Sequence, residues 1–516
     1  MMHEVSFPIG HLVYMLAALG VTAALDLIDG KFIYPNFKDE KRDSFLHGRF
    51  SQSFAWGAAT SAYQIEGGWN DDGKGVHIWD TFTHQGGHVF MNQTGDIACD
   101  SYHKVTKDVE MLKRLGVTHY SFSISWTRIL PQGTRHKPPN KAGLAYYHRL
   151  IDELIRANIE PVVTLFHYDM PQDLQDYLGG FQNSETVKLF VHYADLCFGE
   201  FGDKVKYWMT INEPYTYVMS GHRHGNMAPG FELTLQHCYE NAHNILLAHA
   251  LTWKHYHEKY RRRQRGFIGI ASVAPWAEPA TQKTADLEAA NLYMQMTIGW
   301  FLHPLYYGDY PAEMRQYVAS QTSVKLPEFT RQERDLLRGS CDFLGINHYK
   351  TVMAKRRESE KYDAFTGLHN VHLSFAEDWT VIDDQYTVVP WGIRKVLNWI
   401  HEEYGKPTIF VTKNGMPHTA EDPNINDGER IVYITAYLNE ILKAQTYDSV
   451  NVKGYFVWSL MDNFAWTKGY SVKFGLHYVN FTDPARLRLP RESAKAYSKI
   501  IQDGGFPSQL KKKEEL

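Results

Sequence analysis

Cysteine is scarce in this 516-residue chain: Cys99, Cys197, Cys238 and Cys341 are widely spaced, with no CxxC pair. That excludes a disulfide-dense scaffold and a cysteine-built zinc site, while leaving room for one or two bridges. Net charge is small, −4 at pH 7, so the balance does not call for a nucleic-acid partner. The basic run Arg261–Arg265 reads as a solvated helix end. There is no Gly-rich phosphate-binding loop, no internal repeat and no low-complexity linker. Long apolar runs are confined to "LVYMLAALGVTAA", Leu12–Ala24. That run is too short to span a bilayer comfortably and fits a secretory signal peptide over residues 1–24. Its leading flank carries Glu4 and no Lys or Arg; a short uncleaved anchor and an ordinary helix are the alternatives. No second such run follows, so no membrane span is expected in the body.

Aromatic residues, by contrast, make up 14% of the chain, with 13 Trp and 32 Tyr. Most such rings belong in a core; a surplus also suits a cleft in which rings stack on the apolar faces of sugars. Two sequons, Asn92 ("NQT") and Asn480 ("NFT"), fit a glycosylated luminal protein. The last four residues, "KEEL", resemble an ER-retrieval signal, and the competing reading is a frayed charged tail. Together these place the chain in the secretory pathway, in the ER lumen or secreted.

Eight short apolar runs alternate with amphipathic helical stretches. The runs are "FAWGAAT" (from Phe54), "YSFSISW" (Tyr120), "EPVVTLF" (Glu160), "YWMTINE" (Tyr207), "GFIGIAS" (Gly266), "CDFLGIN" (Cys341), "TIFVTKNG" (Thr408) and "GYFVWSL" (Gly454). Strands separated by helices make a parallel sheet, and eight is the number that closes it. The expectation is α/β, a single (β/α)8 TIM barrel over residues 46–505. It has an N-terminal extension at 25–45 and a charged tail at 506–516. Barrel enzymes carry their chemistry at the carboxyl ends of the strands. Those ends are Gln64, Ser125–Trp126, His167 with Asp169, Asn212–Glu213, Asn347 with Tyr349, Lys413–Asn414 and Trp458. Any one of them reads most simply as a satisfied buried polar group. Jointly, amides, one imidazole, one carboxylate and indoles suit a hydroxyl-rich ligand rather than a phosphate. No metal or cofactor is implied.

"FAWGAATSAYQIEGGWN", "TLFHYDMPQDL", "TINEP", "DFLGINHY" and "GYFVWSLMDNF" resemble the family 1 glycoside hydrolases, β-glucosidases and their relatives. The resemblance covers nearly everything after residue 50. It implies a retaining double displacement between two carboxyls about 5 Å apart. By that resemblance, Glu213 matches the general acid/base. Gln64, His167 and Asn212 match groups holding the innermost sugar, Asn347 and Tyr349 its lower wall, and Trp458 and Trp466 the ring platform and rim. Three positions depart. Lys413 stands where the nucleophilic Glu belongs, Ser121 where an Arg pairs with that nucleophile, and Ala465 where a Glu binds two sugar hydroxyls.

A carboxylate nucleophile both stabilises and bonds the developing oxocarbenium ion; a protonated lysine does neither. With Glu213 as neighbour at ~5 Å and an effective dielectric of ~20, attraction of roughly 3 kcal/mol favours a charged Lys413–Glu213 pair. Ser121 would relieve the repulsion an arginine there would feel from Lys413. The pattern is similar to the Klotho-related branch of the family, whose members keep the barrel and lose catalytic Glu residues. It differs from the myrosinases, which lose the acid/base instead. The resemblance implies a hydrolytically inactive protein that binds a glycan or a protein partner, growth-factor or receptor related by analogy. The rivals are an active or weakly active β-glycosidase and a secretory-pathway maturation factor.

Overall fold

The computed structural model describes residues 32–508 apart from 322–323, 358–367, 369 and 420–422. The expected signal peptide and the "KEEL" terminus lie outside the described residues. Eight parallel strands close into a barrel: β1 (Ala55–Ala59), β2 (His119–Ser123), β3 (Glu160–Phe166), β4 (Tyr207–Asn212), β5 (Phe267–Val273), β6 (Phe343–Asn347), β7 (Ile409–Asn414) and β8 (Val452–Trp458). Each pairs with its sequence neighbours, and closure comes from β8 against β1, with Trp458 opposite Ala59. All eight apolar runs form the expected strands.

Helices follow the strands: α1 (Val105–Leu115), α2 (Lys141–Arg156), α3 (Ser184–Phe201), α4 (Leu235–Lys259), α5 (Thr284–Met294, with Trp300–Tyr307 beyond it), α6 (Pro390–Glu403), α7 (Gly428–Thr446) and α8 (Glu492–Asp503). Helix α2 shows why. Tyr146, Tyr147, Leu150, Ile151 and Leu154 recur at helical spacing and are buried, and Asn140 caps the start by accepting from the Ala142 N–H. The strands are buried on both faces, as helices outside and side chains inside require. Inside, Ala55, Val162, Met209, Ala271, Phe343, Phe410 and Phe456 fill the barrel. Gly57 has to be glycine, because a Cβ there would lie 2.2 Å from the Phe456 ring. Residues just before the barrel pack onto it: Tyr34 sits among Met353, Trp379, Val389 and Trp391, and Gly48–Arg49 pairs with Gly505–Phe506. All four cysteines are free thiols, three of them buried. Among the described residues no helix is long and apolar enough to cross a membrane.

Candidate functional site

Strand β7 carries Lys413 to the carboxyl end of the barrel, in register with Asn347 of β6. The Asn414–Gly415 pair forms no tight turn. The strand runs on to Asn414, and Gly415 is needed because a Cβ would meet the Trp458 carbonyl oxygen at 1.8 Å. Asn414 points away into the shell, donating to the His348 carbonyl and the Tyr433 hydroxyl.

Lys413 Nζ donates to Nε2 of His167 at 2.6 Å and lies 4.5 Å from the centre of the Trp458 ring. The Glu213 carboxylate stands at 4.0 Å. The expected Lys413–Glu213 ion pair is thus present at a long separation, with the imidazole nearer to the amine. Burial pushes the Lys413 ammonium down to about 8, while Glu213 pulls the other way. The attraction at such a distance is ~4 kcal/mol at an effective dielectric of ~20, and desolvation exceeds it. The amine is still largely protonated at neutral pH, and the indole face supplies part of the stabilisation. His167 follows β3 and is held well below the ordinary imidazole range by burial and then by Lys413. It accepts from the lysine as a neutral ring, lying roughly parallel to Trp458 at 6.4 Å and to Trp466 at 5.7 Å. Asp169 tethers the same loop by accepting from the His167 and Trp126 N–H groups, and burial raises its carboxyl to about 7.

Glu213 follows β4 in the left-handed region, φ 44°. Such a backbone persists in a non-glycine residue only where surrounding bonds hold it. Here its N–H donates to the Ala271 carbonyl at 2.7 Å. Its carboxylate accepts from Tyr168 Oη at 2.7 Å, Asn347 Nδ2 at 2.6 Å and Thr216 Oγ1 at 3.0 Å. Asn347 also donates to Asn212 Oδ1 and accepts from Thr412 Oγ1. Asn212 and Asn347 are fully buried; Asn347 braces Glu213, and Asn212 supports Asn347 while its own Nδ2 has no hydrogen-bond partner among the described residues.

The strand ends frame a cleft of about 570 Å³, within the range of small-molecule sites. Gln64, His167, Glu213, Tyr349, Lys413, Trp458, Ala465 and Trp466 all line it. Gln64 is pre-oriented: its amide donates to Asn463 Oδ1 and the Phe464 carbonyl, and accepts from Ser61. Tyr349 stands edge-on to Tyr386 and Phe474. Ala465 is half-buried and offers no polar atom beyond its backbone. Ser121 is buried in β2 between Ala59 and Val162 and is not among the cleft residues. Ser125 and Trp126 belong to the packed shell, where Trp126 stacks on Tyr193 at 4.9 Å.

Tyr168, Thr216 and Thr412 went unnamed in the sequence reading, although Tyr168 and Thr216 touch Glu213 directly. Tyr168 lies inside the quoted "TLFHYDMPQDL", and Thr216 is three residues past Glu213 in the first helical turn; proximity to a nominated residue was the available signal. Lys350, which burial alone brings down to about 8, also lines the cleft. A Lys468–Asp383 pair lies in its wall. The floor thus presents one carboxylate and one amine at 4.0 Å, where a double displacement requires two carboxyls.

Comparison with known proteins agrees with this architecture. The model of "Glycosyl hydrolase family 1" matches residues 46–506. Lactase/phlorizin hydrolase of Rattus norvegicus is 44% identical over 481 residues, 90% of this chain but 25% of that protein. The chain therefore spans about a quarter of that relative's length. Cytosolic beta-glucosidase of Homo sapiens is 42% identical over 472 residues, 89% of this chain and 100% of the relative. Among solved structures, aphid myrosinase superposes with a TM-score of 0.85 at 39% identity, covering 89% of this chain and all of that one.

Proposed function

The chain belongs to glycosyl hydrolase family 1, and from that premise we propose that it is a non-hydrolytic, Klotho-like member whose cleft binds a glycan or glycosylated partner without cleaving it. One observation carries the reading: a lysine amine, not a carboxylate, stands 4.0 Å from Glu213 on the cleft floor. An ammonium repels the charge that develops on the anomeric carbon, and among the described cleft-lining residues the other carboxylate, Asp383, is paired with Lys468 in the wall. The ligand-facing parts are those a sugar site needs: two indole faces, a pre-oriented amide and an imidazole. Ala465 weakens the grip on sugar hydroxyls by removing two acceptors. A growth-factor or receptor-type partner follows from the Klotho resemblance alone. The secretory location rests on the N-terminal apolar run, the sequons and "KEEL".

The second reading, an active β-glycosidase, is favoured by Glu213, whose hydrogen bonds are intact, and by relatives named as hydrolases and glucosidases. Turnover of 4-nitrophenyl β-glucoside and β-galactoside by the purified chain decides between them. Loss of one member of a catalytic unit costs ~10⁴- to 10⁶-fold, so the expected rate is at or near background. A rate within tenfold of ordinary family members would overturn the non-hydrolytic reading.

A further inference from the structure

We propose that Lys413 is an amine nucleophile for small aldehydes: it captures the carbonyl carbon of an open-chain aldose or related hydroxyaldehyde as a Schiff base on the cleft floor. The proposal rests on the reading of the cleft as a sugar-shaped site and names a ligand class for it.

The geometry carries it. Nζ lies at the end of a strand, inside a cleft of about 570 Å³ lined for polyhydroxylated ligands. It is not locked in a tight ion pair: its shortest polar contact is the neutral His167 ring at 2.6 Å, and the carboxylate stands off at 4.0 Å. Lysines used as imine-forming nucleophiles are desolvated, so that a useful fraction is free amine. Burial brings Lys413 to about 8. At pH 7 that leaves about a tenth of it unprotonated, against roughly 0.03% for an exposed lysine of ordinary basicity.

The step balances without any oxidant or co-reactant. The Nζ lone pair bonds to the aldehyde carbon, and the C=O π electrons move to oxygen. A proton passes from nitrogen to that oxygen to give the carbinolamine. The hydroxyl then leaves as water, taking the second amine hydrogen, and a C=N bond remains. Glu213 is placed to carry those protons: groups 4.0 Å apart can both touch one intervening oxygen at ~2.8 Å. A carboxylate that accepts a proton from nitrogen and returns it to the departing hydroxyl is unchanged at the end of the step. The same chemistry is closed to a family member with a carboxylate at this position.

The test is site-resolved trapping on the full-length folded protein. Glyceraldehyde with sodium cyanoborohydride at pH 7 converts each imine to a stable secondary amine, which peptide mapping quantifies at every lysine. Lys413 is expected to label at least ~10-fold faster than exposed Lys188 or Lys499, the ~300-fold excess of free amine being reduced by access to the cleft. The preference should vanish in urea. Lys413 labelling no faster than the surface lysines would overturn the proposal; this wild-type comparison needs no variant to fold. Labelling of Lys413 alongside brisk glycoside hydrolysis would overturn the non-hydrolytic reading and leave this one standing. The absence of both would do the reverse.

Discussion

Putting a carboxyl back on the cleft floor is the most informative perturbation of this chain. In Lys413→Glu the side chain ends about one bond earlier than the lysine. The 4.0 Å separation from Glu213 then opens to about 5 Å, the spacing of a retaining pair. Two like charges at ~5 Å and an effective dielectric of ~20 repel by roughly 3 kcal/mol, which restores the drive to keep a proton on the pair. The substitution also removes the ammonium from the Trp458 face and frees His167 Nε2 for a ligand hydroxyl. The new carboxylate still lacks a cation, so Lys413→Glu with Ser121→Arg is expected to outperform the single change. Starting from a deficit of ~10⁴ or more, the double variant should gain at least ~10²-fold in kcat/KM on 4-nitrophenyl β-glucoside, and the single variant less. No gain in the double variant, in protein shown to be folded by circular dichroism, would refute the account of inactivity. Equal gains in both would refute the coupling between positions 121 and 413.

Three further outcomes follow from the same contacts. Burial lowers Lys413 from 10.5 to about 8. The unfolded chain therefore binds more protons between those values, and the lysine destabilises the fold below pH 8 by up to roughly 3 kcal/mol, a cost that fades as pH rises through 8 to 10.5. The melting-temperature difference between Lys413→Met and wild type should accordingly be more favourable to the variant at pH 7 than at pH 10; the same difference at both would contradict it. Ala465→Glu should tighten binding of methyl β-glucoside about tenfold by calorimetry, since a charged acceptor is worth ~1.5–3 kcal/mol; an unchanged Kd would remove Ala465 from the sugar contact. Asn92 is exposed, its Oδ1 accepting from the Gly87 N–H. Asn92→Gln should abolish one endoglycosidase-sensitive mass step in protein made through a secretory host, and no change in mass would count against luminal modification there.

The strands and their order were legible from the chain because each is an apolar run of five to seven residues bounded by helix-forming stretches, a local signal. The strand-end rule then found the cleft-lining Gln64, His167, Glu213 and Lys413. What escaped it were relations set by closure of the barrel. Lys413 and His167 lie 246 positions apart yet share a 2.6 Å hydrogen bond. Asn347, nominated as a ligand group, donates to Glu213 and to Asn212, with Thr412 behind it. Tyr168 and Thr216 carried no pattern of their own.

The residue identities at 121, 413 and 465 belong to the sequence alone; no folding detail alters them. The state of the amine put there belongs to the tertiary structure. Sequence chemistry pairs a lysine with the nearest glutamate and makes it a firm cation. The folded barrel instead buries it against indole and imidazole, and desolvation outweighs the one nearby carboxylate. Burial is a property of the closed barrel and not of any segment of it, which is why only the three-dimensional arrangement lowers the basicity of Lys413.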